Sequence, residues 1–132
     1  MTGHNRQSLR TPLGRVRHLG SAHHGTRHFW HQRLTAVAGV PLTIAMIVII
    51  VSLLGRNHAA VVQILGSTFV SITMLLFIVT SVYHMKLGMQ VIIEDYVRDE
   101  NWKLVTLMAN TFFSFTIGLA AVFAILKLSF GL

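Results

Sequence analysis

The stretch YHMKLGMQVIIEDY, residues 83–96, places polar groups at the end of a long apolar segment. That segment begins near residue 61 and carries no acid or base until Lys86, yet His84 lies inside it. An ionisable side chain in a membrane-spanning segment is costly and is by default a functional candidate. The stretch therefore predicts a transmembrane helix that carries a functional histidine.

Composition supports a membrane protein. The 132 residues are 53% hydrophobic and 11% charged, whereas a soluble domain carries about a quarter charged residues. Cysteine is absent, which excludes a disulfide framework, a thiolate metal site and an iron–sulfur cluster held by this chain. The net charge is +7, but the basic residues flank apolar spans instead of covering a soluble surface, so nucleic-acid binding is not expected.

The chain divides into two regions. Residues 1–26 are polar and basic without an apolar period, which predicts a loosely held arm. They lack the apolar core and cleavage site of a secretory signal peptide, although an acid-free leader with arginines also fits an organellar transit peptide. Residues 27–132 are expected to form a membrane-anchor domain.

Three apolar runs in this domain predict three transmembrane helices and an all-α fold. About 20 apolar residues cross a hydrocarbon core of about 30 Å. Pro41 is expected to kink the first helix. The second run, counted from residue 61, is too long for one upright span, so its helix is expected to tilt or overhang the bilayer. The predicted spans are about 34–54, 64–93 and 104–127.

The charge distribution predicts the orientation. Six of the eleven basic residues precede Leu34, and two more, Arg98 and Lys103, lie in the second connection. Positive charge favours the cytoplasmic side, so the amino terminus and this connection are predicted to be cytoplasmic and the carboxyl terminus external. Trp30 and Trp102 then lie at the same interface, where indole rings anchor.

His84 is the only histidine inside an apolar run. A neutral imidazole is a common axial ligand of haem iron. Gly88 lies one turn further on the same face, where the missing side chain would let a flat macrocycle approach. The alternative is that His84 hydrogen-bonds a neighbouring helix and Gly88 is a packing residue. One histidine cannot supply both axial ligands, so a haem would need a ligand from a partner chain.

Asp95 and Tyr96 form a second candidate site. Asp95 follows His84 by eleven residues, close to three helical turns, so the two share a face about 16 Å apart along an unbroken helix. One interpretation is that the helix has already ended and the acids are solvated at the interface. The other is a polar pocket in which Tyr96 donates a hydrogen bond to a carbonyl and Asp95 orients it or relays protons.

The roles of four further polar residues stay open. Arg33 either anchors the topology by snorkelling or supplies a cation for a haem propionate or a quinone pocket. Lys86 either snorkels or pairs with an acid of a partner. His28 and His31 are interpreted as interface residues without an assigned role.

At these residues the chain resembles the small membrane-anchor subunit (cytochrome b, D-type) of succinate dehydrogenase, respiratory complex II. The pattern H-x3-G-x6-D-Y is carried by His84, Gly88, Asp95 and Tyr96, and RLTAVAG, from Arg33, resembles the family's R-x-T-A. The resemblance covers about residues 27–130 and implies a haem-containing helix bundle shared with a second anchor subunit.

The resemblance also implies residue roles. His84 would be an axial ligand of haem b, with the other ligand from the larger cytochrome b anchor, and Gly88 would give the haem clearance. Tyr96 would bind ubiquinone beside Asp95, and Arg33 would lie in the propionate or quinone region. FAD and the iron–sulfur clusters would belong to a flavoprotein and an iron–sulfur subunit, so this chain alone would not be catalytic.

The implied function is membrane anchoring and electron transport from succinate to ubiquinone in the tricarboxylic acid cycle. The expected location is the bacterial inner (cytoplasmic) membrane, with the mitochondrial inner membrane as the alternative. The two anchors, the flavoprotein and the iron–sulfur subunit would form a heterotetramer, and a higher oligomer of this heterotetramer stays open. Two other functions stay open: the anchor of a quinol:fumarate reductase, and a non-redox three-helix assembly or structural subunit.

Overall fold

The computed structural model describes Thr11 and residues 24–131, with His24 and Gly25 described by their backbone alone. Within this part of the chain every regular element is an α-helix. The predicted polar arm therefore lies outside the described residues, apart from Thr11 and the first turn of the first helix. In chain order the helices are α1 (His24–Leu53), α2 (His58–Leu65), α3 (Thr68–Tyr96) and α4 (Glu100–Phe130).

Three of these helices are long and apolar enough to cross a membrane: Thr26–Leu53, Thr68–Tyr96 and Glu100–Phe130. At about 1.5 Å of rise per residue, each exceeds the hydrocarbon core of about 30 Å. Polar end turns are helical as well, so α1 begins before its predicted span, α3 ends after its own, and α4 extends beyond its span at both ends. The prediction of an all-α chain with three membrane-spanning helices is confirmed.

The first helix contains Pro41, and α1 continues on both sides of it. Proline lacks the N–H that would close the helical hydrogen bond at this point, which is why a kink is expected there. The helix ends at a turn in which Gly55 adopts a φ of 71°, a left-handed conformation that glycine adopts without strain. Asn57 then caps α2, since its side chain accepts a hydrogen bond of 2.9 Å from the Ala60 backbone N–H.

The second apolar run is not a single helix, so the prediction of one continuous helix from residue 61 is wrong. The spanning helix α3 alone is still longer than one upright span, and its tilt or overhang stays a prediction. The run breaks at Gly66 and Ser67 into the short α2 and the spanning α3. A Cβ atom on Gly66 would lie 3.0 Å from the Val62 carbonyl oxygen and 3.2 Å from that of Leu128 on α4. The close passage of two backbones at this break favours glycine and ends α2.

The connection between α3 and α4 is short and locally capped. The side chain of Asp99 accepts a hydrogen bond of 3.0 Å from the Trp102 backbone N–H, and Glu100 occupies the first turn of α4, where negative charge is favoured. At the other end Lys127 lies in the last turn and Gly131 is left-handed with φ 69°. Both ends of α4 thus match their charges to the helix dipole.

The central helix is α3, which packs against α1 on one side and α4 on the other. Thr35 of α1 lies beside His84, while Gln32 lies beside Gly88, so α1 and α3 run antiparallel. On the other side Asn110 of α4 donates a hydrogen bond of 3.0 Å to the Lys86 carbonyl oxygen. The start of α1, the end of α3 and the start of α4 therefore lie at one end of the bundle.

The three-helix bundle has a thin interior. Among the described residues, the buried side chains are Leu87, Ile93, Ile125, Ser71 and Ser114. Small residues give the α3–α4 contact its closeness, since a Cβ on Gly118 would lie 3.3 Å from the Val82 side chain. Most large apolar side chains point outward. This distribution suits a chain whose outer faces meet lipid or other membrane helices.

Candidate functional site

His84 lies in the second half of α3, about 24 Å from the start of the helix at Thr68 and about 18 Å from its end at Tyr96. Its side chain is half-buried and faces α1. Its Nδ1 atom lies 2.9 Å from the Thr35 hydroxyl oxygen, and its Nε2 atom lies 3.4 Å from the Gln32 side-chain nitrogen. The imidazole is thus held within the chain at both ring nitrogens, tightly at Nδ1 and loosely at Nε2.

Gly88 shares this face of α3, as its four-residue spacing from His84 predicts. A Cβ on Gly88 would lie 3.4 Å from the Gln32 side-chain nitrogen, which is ordinary contact with a flexible side chain. In the structure the space beside Gly88 is therefore occupied by the Gln32 amide. The role of Gly88 in clearing room for a haem stays a prediction.

Two polar atoms near this site are buried without a hydrogen-bond partner among the described residues. They are Gln32 Oε1 and His28 Nε2, one turn apart on the same face of α1. Buried polar atoms are nearly always hydrogen-bonded, so such orphans call for an explanation. Their position one and two turns from Thr35 shows that the α1 surface next to His84 has unused hydrogen-bonding capacity.

A cleft of about 550 Å³ separates α1 from α3 on the side of His84 that faces away from Tyr96. Its polar lining comes from His84, Thr35, Thr43, Thr80 and Ser81, and its remaining lining is apolar. A mostly apolar cleft with a few convergent polar groups is typical of a ligand or cofactor site.

A second contact between the same helices joins His31 of α1 to Tyr83 of α3. The His31 Nδ1 atom and the Tyr83 hydroxyl form a short hydrogen bond. The interface interpretation of His31 omitted this contact. His28, on the same helix, was also interpreted as an interface residue, although its Nε2 atom is buried.

Arg33 lies two residues before Thr35 but is not part of the contacts around His84. Its guanidinium carbon lies 4.9 Å from the centre of the Phe29 ring, a cation–π contact within the first turns of α1. The side chain is exposed. This geometry is compatible with an interfacial anchor, and its predicted contact with a propionate or quinone stays a prediction.

Asp95 and Tyr96 lie in the last turn of α3. The interpretation in which the helix ends before the acids is therefore wrong, and the distance of about 16 Å along the axis between His84 and Asp95 applies. Both side chains are exposed, Tyr96 by 81%. Neither forms a side-chain hydrogen bond with the described residues, while the neighbouring Glu94 accepts one of 2.8 Å from Gln90.

Lys86 lies on the side of α3 that faces α4. It lines a cleft of about 430 Å³ between α3 and α4 together with Tyr83, Thr111 and Ser114. The four acids of the chain lie further along the sequence, at residues 94–100. Pairing of Lys86 with an acid of a partner stays a prediction.

Within residues 24–131, no cluster of three or more histidine, cysteine or acidic side chains is placed to hold a metal ion. A metal at His84 would therefore need ligands from outside these residues. The sequence reasoning missed Gln32 and Thr35, the two groups that contact the imidazole. Their signal was the spacing of His28, Gln32 and Thr35, which places these three polar side chains on one face of α1.

The family model of the succinate dehydrogenase/fumarate reductase transmembrane subunit matches residues 7–125. The succinate dehydrogenase hydrophobic membrane anchor subunit of Paracoccus denitrificans is 27% identical over 121 residues, covering 92% of this chain and 93% of the relative. The subunit of the same name from Rickettsia bellii (strain RML369-C) is 28% identical over 117 residues, covering 89% and 94%.

The succinate dehydrogenase membrane anchor subunit of Reclinomonas americana is 30% identical over 86 residues, covering 63% of this chain and 72% of the relative. No solved structure matches the chain. The family match extends over most of the sequence and includes α1, α2, α3 and most of α4. The chain therefore belongs to the transmembrane-subunit family of succinate dehydrogenase and fumarate reductase, as a membrane anchor subunit.

Proposed function

We propose that this chain is the D-type anchor of a succinate:quinone oxidoreductase, in which His84 is one axial ligand of haem b. The larger cytochrome b anchor supplies the second ligand, and the flavoprotein and iron–sulfur subunits dock at the end of the bundle that carries Tyr96. The observation that supports this most is the half-buried imidazole of His84, fixed at Nδ1 and only loosely contacted at Nε2.

The residues around His84 fit a haem. A ligating imidazole is neutral, uses one ring nitrogen for the metal and hydrogen-bonds through the other. Here Nδ1 has a hydrogen-bond partner at 2.9 Å, while Nε2 has only a contact of 3.4 Å with the Gln32 side-chain amide. Gly88 adds no side chain beside it. The unpaired Gln32 Oε1 also fits, because moving this side chain away from His84 breaks no hydrogen bond at that oxygen.

Haem b, when bound, supplies reversible one-electron transfer, and the protein tunes it through the axial ligand, burial and nearby hydrogen bonds. The role of this chain is to hold the Nε2 atom of His84 in place on helix α3 for the haem iron. Helix α3 also fixes the separation between His84 and the residues at its end, because both lie on one uninterrupted helix.

The quinone site is proposed at the end of α3. The Tyr96 hydroxyl donates a hydrogen bond to a ubiquinone carbonyl oxygen, and Asp95 orients the tyrosine or exchanges protons with water at the interface. Both side chains are exposed in the isolated chain, so the remaining walls of the pocket come from the partner subunits. Arg33 contributes positive charge at the same end of the bundle.

The ligand assignment is tested in the purified complex with His84→Ala, using His58→Ala as a matched control. His58 lies exposed at the start of α2, away from the α1–α3 interface. We expect His84→Ala to abolish or shift the b-type haem absorption spectrum, whereas His58→Ala leaves it unchanged. A wild-type spectrum in the His84→Ala complex contradicts the assignment.

The anchor of a quinol:fumarate reductase is the second candidate, because the matching family contains the transmembrane subunits of both enzymes. The two are separated by assaying the purified complex in both directions. Faster succinate oxidation with ubiquinone supports the first proposal, and faster fumarate reduction with a reduced quinone supports the second. Absence of haem and of both activities supports the non-redox alternative.

A further inference from the structure

Thr35 lies at the centre of a small hydrogen-bonded group between α1 and α3. Its hydroxyl oxygen is 2.8 Å from the His31 carbonyl oxygen, 3.1 Å from the Gln32 carbonyl oxygen and 2.9 Å from His84 Nδ1. The first two contacts are the usual bonds of a helical threonine to the preceding turn. The third joins this turn of α1 to the imidazole on α3.

The number of hydrogens in this group determines the direction of each bond. A threonine hydroxyl carries one hydrogen, and both carbonyl oxygens can only accept. If that hydrogen goes to a carbonyl oxygen of α1, the hydroxyl oxygen is left to accept from His84, so Nδ1 carries the ring hydrogen. The Gln32 amide nitrogen, a donor, then faces the lone pair on Nε2 at 3.4 Å. This arrangement pairs a donor with an acceptor at both ring nitrogens of His84.

We propose that Thr35 is a positioning residue for His84: by accepting the Nδ1–H hydrogen bond, it fixes which nitrogen carries the lone pair and how the imidazole plane is turned. This inference rests on the proposed function, since it concerns how the assigned ligand is presented to haem iron. A hydrogen bond from the non-ligating nitrogen raises the basicity of the ligand, which stabilises the oxidised iron. Thr35 thereby lowers the midpoint potential of the haem.

The experiment compares Thr35→Val, which has nearly the same shape but no hydroxyl, with Thr35→Ser, which keeps the hydroxyl. The readouts are the electron paramagnetic resonance g values of the ferric haem, its midpoint potential and the haem-to-flavin ratio of the purified complex. Thr106→Val is the matched control. Thr106 makes the same two bonds to its own helix, 2.7 Å to the Trp102 and 3.0 Å to the Lys103 carbonyl oxygen, without a histidine partner.

We expect Thr35→Val to change the g values and shift the potential to more positive values, while Thr35→Ser and Thr106→Val resemble the wild type. Loss of haem from Thr35→Val with retention in Thr35→Ser supports the same conclusion, because only the hydroxyl differs in function.

A Thr35→Val complex with wild-type g values and potential overturns the role of Thr35 while leaving the ligand assignment intact. Equal shifts in Thr35→Val and Thr35→Ser, or in Thr106→Val, overturn it as well, since packing or helix bonding would then be the cause. A wild-type haem spectrum in His84→Ala overturns the ligand assignment and the role of Thr35 together. The two failures are therefore distinguishable.

Discussion

At the scale of single residues, the two ends of the stretch 83–96 have different environments. His84 is held between two helices of its own chain. Tyr96 lies at the end of α3 with 81% of its surface exposed. A buried tyrosine hydroxyl normally finds a partner, whereas this one is free to meet a ligand or a partner subunit. The chain thus supplies the hydrogen-bond partner of His84 Nδ1 itself, whereas any partner of Tyr96 would come from the assembled complex.

The chain contains two tyrosines, which allows a matched test of the quinone proposal. We expect Tyr96→Phe to lower ubiquinone reduction at least about tenfold, the effect of about 1.4 kcal/mol on the barrier, because the hydrogen-bond donor to the carbonyl is lost. Tyr83→Phe removes a hydroxyl that is bonded to His31 instead, so it should retain near-normal rates. The measurement is succinate oxidation with a soluble ubiquinone analogue.

Succinate oxidation by an artificial dye serves as the control for that measurement, since the dye takes electrons upstream of the quinone. It should be equal in the wild type and in both variants. An equal loss of quinone and dye reduction in Tyr96→Phe argues against a quinone contact, because the defect would then lie in assembly.

At the scale of helices, the break between α2 and α3 depends on a glycine. Gly66 has an ordinary helical φ. A Cβ added there would, however, lie 3.0 Å from the Val62 carbonyl oxygen of α2 and 3.2 Å from the Leu128 carbonyl oxygen of α4. Backbone atoms cannot move aside as side chains can. Gly118 offers a comparison, because an added Cβ there would meet only the Val82 side chain at 3.3 Å.

We therefore expect Gly66→Ala to destabilise the bundle by about 1–3 kcal/mol, the usual cost of overpacking, and Gly118→Ala to cost less. Thermal unfolding of the purified complex in detergent measures the difference. A Gly66→Ala complex that melts at or above the temperature of Gly118→Ala contradicts the backbone contact between Gly66 and α4.

The sequence predicted the number of spanning helices well, because long uncharged apolar runs leave few alternatives in a membrane. It did not predict the break at Gly66, since apolar character continues across it and only the approach of Leu128 makes the glycine necessary. The sequence identified His84, because an ionisable side chain in an apolar membrane span costs free energy and is usually kept for a function. It did not identify Thr35, because helical threonines usually hydrogen-bond to their own backbone. That third contact is visible only once α1 and α3 are paired.

At the scale of the whole molecule, the bundle has two chemically different ends. The start of α1, the end of α3 and the start of α4 bring together Trp30, Tyr96 and Trp102, all of them exposed. The opposite end carries the turn around Gly55, the short α2 and the end of α4. The thin interior and the apolar outer faces require lipid or a second anchor around the rest of the surface.

The predicted orientation places the Tyr96 end in the cytoplasm, where the positive charge of the chain is concentrated. The absence of natural cysteine makes this directly testable with single cysteines. Asn101→Cys lies exposed in the first turn of α4, and His58→Cys lies exposed at the start of α2. In intact bacterial cells or spheroplasts, a membrane-impermeant maleimide should label His58→Cys and leave Asn101→Cys unlabelled, while both should react after detergent lysis. Labelling of Asn101→Cys alone in intact cells would reverse the orientation. The iron–sulfur subunit would then have to meet the α2 end, and Asp95 and Tyr96 would lie on the side of the membrane away from the source of electrons.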